Sequence, residues 1–107
     1  MINDDDGQID TLLADLWQRQ LPLLEARLTL LDRTAAEASS GVLLEESRVE
    51  AFSVAHKLSG SLGMFGYHRG TEVARAMEHI LKAPTPETLR SLGSLAKSLR
   101  EALHPRP

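Results

Sequence analysis

The stretch Ala51-Phe52-Ser53-Val54-Ala55-His56-Lys57-Leu58-Ser59-Gly60-Ser61-Leu62-Gly63-Met64-Phe65-Gly66 decides how this chain is read. With Leu58 at zero and about 100° per residue, Ala51, Val54, Ala55, Leu62 and Phe65 fall within about 60° of it. That is one coherent buried face of an amphipathic helix. His56 lands on the far side at about 160°, near Gly60 at about 200° and Gly63 at about 140°. Val49 and Ser53 share this outward side, and Phe52 borders it. A glycine inside a helix is worse than alanine by about 0.8–1 kcal/mol, and this helix carries two before Gly66 ends it. Such glycines make sense if another molecule brings its backbone against the imidazole. Val49, Phe52, Ser53, Gly60 and Gly63 are then the docking surface.

Outward from this helix, which spans about 43–64, three further amphipathic segments appear. Before it, Trp17, Leu21, Leu24, Leu28, Leu31 and Ala35 recur at steps of three and four, as one helical stripe does. Pro22 lies inside the stripe and removes one backbone hydrogen bond. The stripe keeps phase across it, which favours one long helix kinked at Pro22. The rival is a short helix ending near Gln20 and a fresh one with Pro22 in its first turn. After a loop at Phe65-Gly66, a third segment at about 67–82 sets Val73, Met77 and Ile80 on one side. Pro84-Thr85-Pro86-Glu87 then stops one helix and starts another. Thr85 suits the cap, Pro86 the first position and Glu87 the positive end. Leu89, Leu92, Ala96, Leu99 and Leu103 form the fourth stripe. Four such segments with short connections predict an all-α, antiparallel up-down four-helix bundle.

Composition bounds the function. The chain has 107 residues and a formal charge of −3, from 12 Lys plus Arg against 15 Asp plus Glu. One domain of ordinary globular composition follows, expected over 8–104, after a mobile acidic leader at 1–7 and before a tail at 105–107. The absence of cysteine excludes disulfide frameworks, thiolate nucleophiles and Cys-based zinc sites. The acidic balance argues against nucleic acid as partner, since neutralising phosphates needs a basic face. No apolar run approaches the ~18 residues of a membrane span, and the acidic start is unlike a signal peptide. A cytoplasmic protein is expected. The stripes are narrow enough for a monomer.

His56-Lys57-Leu58-Ser59-Gly60-Ser61-Leu62-Gly63-Met64-Phe65-Gly66 resembles the signature of histidine phosphotransfer domains. That family sets an outward histidine on a four-helix bundle, followed by glycine at plus four and plus ten, where Gly60 and Gly66 stand. Val73-Ala74-Arg75-Ala76-Met77-Glu78 is similar to the family's third helix. The resemblance implies that His56 accepts a phosphoryl group from a receiver-domain aspartate and passes it to another receiver in a two-component phosphorelay. It implies a receiver domain, a hybrid sensor histidine kinase, or both, as partners. The chain is then a phosphoryl carrier and not an enzyme, with no cofactor of its own and magnesium on the partner receiver. A free imidazole titrates near pH ~6.5 and needs no dedicated base at neutral pH. Positioning and charge carry most of phosphoryl transfer. Lys57, Ser59 and Gly60 are the candidate phosphate neighbours. Many members carry lysine at plus three, where this chain has Ser59. Electrostatic support would then come from Lys57, from Ser59, or from a groove-side basic residue such as Arg69.

Two other readings compete. One is a bundle of the same shape that binds a receiver or other signalling partner without turning over phosphate; Ser59 at plus three keeps it open. The other is a helical metalloenzyme or hydrolase, against which Glu78-His79 lacks a second ligand at i+4, so no metal site is expected. His68, His79 and His104 read as surface residues, and Trp17, Phe52, Phe65 and Met77 as core or rim.

Overall fold

The computed structural model describes residues 4–104, with side chains from Gly7 onward. The first three residues of the expected leader, and the tail at 105–107, lie outside the described residues. Helix α1 (Asp4–Ser39) takes in Asp4–Gly7, the rest of the leader stretch, as its first turn. α1 runs through Pro22 as one helix of 36 residues, so the rival division near Gln20 does not hold. Its buried stripe explains why: Trp17, Leu24, Leu28, Leu31 and Ala35 keep one phase on both sides of the proline.

Helix α2 (Glu45–Met64) and helix α3 (His68–Lys82) follow. Gly66, at φ +85°, closes α2. Its N–H donates to the Gly63 carbonyl, and the Tyr67 N–H donates to the Leu62 carbonyl at 3.0 Å. Those two bonds are the Schellman pattern, which needs a left-handed residue where only glycine is unstrained.

The fourth segment departs from the sequence reading. It is divided into a one-turn helix α4 (Pro86–Leu89) and helix α5 (Leu92–Ala102). Thr85 caps α4 as expected, its side chain accepting from the Thr88 N–H while the Thr88 hydroxyl accepts from the Thr85 N–H. The Ser91 N–H then reaches back only three residues, to the Thr88 carbonyl, so the turn tightens and ends. Ser91 and Gly93 are weak helix formers at the restart. Beyond the break, Leu92, Ala96, Leu99 and Leu103 are buried.

Two pairs of contacts give helix directions. The Trp17 ring, thirteen residues into α1, lies 5.0 Å from the Phe65 ring at the end of α2, and Ser47 near the start of α2 donates to Glu37 near the end of α1, so these helices run antiparallel. His56 meets Glu78, and Gly63, seven residues on, lies against Thr71, seven residues back, so α2 and α3 are antiparallel too. Arg100 joins α5 to α1, with Nη2 2.7 Å and Nε 3.0 Å from Asp32 Oδ2. No helix among the described residues is long and apolar enough to cross a membrane.

Candidate functional site

The α2 wheel holds where the site needs it. Ala51, Ala55, Leu58 and Leu62 are buried, while Val54 and Phe65 are half-buried against the same core. His56 therefore points outward, with its side chain 68% exposed. The Phe52 ring, one turn earlier, stacks on the imidazole with centroids 6.5 Å apart and planes 16° from parallel. Val49, two turns before His56, is exposed, and Ser53 is half-buried.

From α3, Glu78 sets the imidazole. Its Oε2 lies 2.9 Å from His56 Nδ1. A carboxylate can only accept, so Nδ1–H donates and the neutral ring keeps its lone pair on Nε2. The Ser59 hydroxyl donates to the His56 carbonyl at 2.8 Å and lies 3.5 Å from Glu78 Oε1. Ser59 thus faces the carboxylate that holds the ring. Sequence reasoning noted the acidic position in the third helix but gave Glu78 no role. Its signal was weak, because the contact spans 22 residues and depends on how α2 docks on α3.

The other candidates separate. Lys57 is exposed about 100° around α2 from His56, on the side away from Ser59. Glu50, two turns earlier on that flank, lines the cleft between α1 and α2. Arg69 lies 3.6 Å from Glu72 in the first turns of α3. It stands nine residues before Glu78, or roughly 13 Å along the axis at 1.5 Å per residue. Arg75 and Lys82, three before and four after Glu78, share its side of α3 and are the nearer cations by register. Gly60 is exposed, and a Cβ built there meets nothing within 4 Å. Gly63 is exposed above the Thr71 hydroxyl, 3.5 Å from where its Cβ would be. Among the described residues, no three His, Asp or Glu side chains gather as a metal site would need.

An outward histidine, with one ring nitrogen held by a carboxylate, thus stands on a helix left bare by glycines. The chain belongs to the Hpt domain family, whose model matches residues 8–104. Hpt domains perform histidine phosphotransfer in two-component phosphorelays and interact there with receiver domains and histidine kinases. A relative, Protein RcaC of Microchaete diplosiphon, is 29% identical over 79 residues. That alignment covers 74% of this chain and 12% of that protein, so the chain spans only about an eighth of the relative's length. No solved structure matches it.

Proposed function

We propose that His56 is the phosphoryl-carrying residue, taking the group from a receiver aspartate and passing it to another receiver. The observation that carries this reading is the 2.9 Å contact between Nδ1 and Glu78, which leaves Nε2 as the exposed nucleophile. In the forward step the Nε2 lone pair attacks phosphorus. The bond from phosphorus to the aspartyl oxygen breaks, and its electron pair leaves with the carboxylate. The ring becomes cationic and keeps its proton on Nδ1, where the Glu78 carboxylate stabilises it. The reverse sequence delivers the group onward.

The magnesium ion and the acidic residues that hold it belong to the receiver, and this chain binds no cofactor. Val49, Phe52 and Ser53 form one side of the docking surface, with Gly60 and Gly63 the bare part over which a receiver loop approaches. Ser59 stands where a lysine is common, so positive charge beside the phosphoryl group comes from Arg75 and Lys82 across the groove. Lys57 contributes less because it lies on the other flank. The contacts between successive helices support an up-down order for the four long helices, with α4 as an added turn.

The test is transfer from a panel of phosphorylated receiver domains to the chain and to its His56→Gln variant. The reading expects acid-labile, alkali-stable label on the wild type alone. A receiver that binds both proteins and labels neither would instead support the non-transferring interaction module.

A further inference from the structure

From Gly7 to Leu16 every residue of α1 but the half-buried Leu13 is exposed. Trp17 packs on Phe65 and Tyr67 at the turn between α2 and α3, which marks that end of the bundle. The thirteen residues of α1 before Trp17 extend past it by roughly 20 Å at 1.5 Å per residue. The molecule is accordingly 61 Å long and only 21 by 20 Å across. Along this arm Ile9, Leu12 and Leu16 are 53%, 61% and 48% exposed, and Leu23, beyond Trp17, is 51% exposed. Their spacing of three, four and seven places them in one stripe, where a coiled-coil seam would run. Single exposed apolar residues are ordinary, whereas a contiguous stripe on a free helix marks an interaction surface.

The pattern of the stripe indicates what covers it. Ile9 and Leu23 each lie seven residues from Leu16. A second copy laid antiparallel and centred on Leu16 puts each Ile9 on the other copy's Leu23 and Leu16 on itself, as an isologous two-fold contact requires. Charge makes the same choice. Asp15 and Arg19 lie on one flank of the stripe, paired within the chain at 3.0 Å and largely exposed. In the antiparallel pair, Asp15 of each copy faces Arg19 of the other. A parallel two-fold pair would carry this flank of each copy to opposite sides of the seam, so Asp15 and Arg19 of the two copies would not meet. We propose that the N-terminal half of α1 is the interface of an antiparallel homodimer of this chain. The seam is short, so the dimer is weak and concentration-dependent.

Sedimentation equilibrium of the whole chain, from ~10 µM to ~1 mM, tests this. The average mass should climb from 11.8 kDa toward twice that value. Leu16→Asp, at the two-fold axis, should hold it at the monomer with unchanged circular dichroism. Arg19→Asp should weaken association by ~10-fold or more, and Asp15→Arg added to it should restore the dimer. The chain has no cysteine, so Ile9→Cys and Leu23→Cys chains can be mixed and oxidised. Cross-links between positions 9 and 23 should dominate. A monomer mass throughout, a dimer indifferent to Leu16→Asp, or dominant 9-to-9 cross-links would each overturn the proposal.

Discussion

His56 and Glu78 meet across the groove between α2 and α3, Nδ1 to Oε2 at 2.9 Å, with the imidazole exposed and the carboxylate only 21% exposed. The half-buried partner fixes the exposed one. Glu78 thereby determines which ring nitrogen faces solvent.

Replacing Glu78 tests that relationship. Glu78→Ala should slow phosphoryl acceptance by ~10-fold, the equivalent of one hydrogen bond worth about 1.4 kcal/mol. Glu78→Gln, which can still accept at its amide oxygen, should lose less. Nitrogen-15 correlation spectra of the neutral ring should show the Nδ1–H tautomer in the wild type and a shift toward Nε2–H in Glu78→Ala. An unchanged tautomer would remove Glu78 from the mechanism.

Gly60 separates stability from transfer. With open space around its missing Cβ, Gly60→Ala should stabilise the chain by about 0.5–1 kcal/mol in denaturant unfolding. The same methyl group, in the path of a docking receiver, should reduce the transfer rate. A variant that gains stability and transfers normally would show that the bare surface has no role in docking.

The core makes the opposite contrast. Leu62 is fully buried, beneath Gly70 and beside the turn that closes α2. Leu62→Ala should cost about 2–5 kcal/mol in denaturant unfolding. His56→Gln, at an exposed position, should change stability by less than ~0.5 kcal/mol.

Acid should loosen the far end of the α2–α3 pair. Arg48 bonds Glu45 through Nε and Nη2, and its Nη1 donates to the Leu81 carbonyl at 2.7 Å. The side-chain hydrogen bond to Arg48 lowers the Glu45 pKa below its ordinary value. A depressed carboxylate adds stability that is present above its unfolded pKa and is lost as pH falls through the folded one. Stability should therefore decline as pH drops below the ordinary carboxylate range, less steeply in Glu45→Gln. Identical pH profiles for the two proteins would contradict this linkage.

Much of this was readable in advance, for physical reasons. Leu58 and Leu62 announce a buried face by period alone, and the outward place of His56 follows from the same rotation. Thr85 and Pro86 identify a helix start because capping is local chemistry. The division at Arg90–Ser91 was not legible, since the apolar steps through Leu89 and Leu92 suit one continuous helix. Glu78 gained its role only when the turn at Gly66 set α2 against α3. The wheel already put Lys57 about 100° from His56, on the side away from Ser59. The exposure of Ile9, Leu12, Leu16 and Leu23 was not legible either, since apolar residues at helical spacing do not say whether a neighbour covers them.

The most direct test of the account is the location of the phosphoryl group after transfer. The chain, labelled with nitrogen-15 and phosphorylated by a receiver, would be examined by hydrogen–nitrogen correlation of its imidazoles. The prediction is a single phosphorylated ring, absent in His56→Gln, with phosphorus coupled to Nε2 of His56. Phosphate on another histidine, or on Nδ1 of His56, would contradict it.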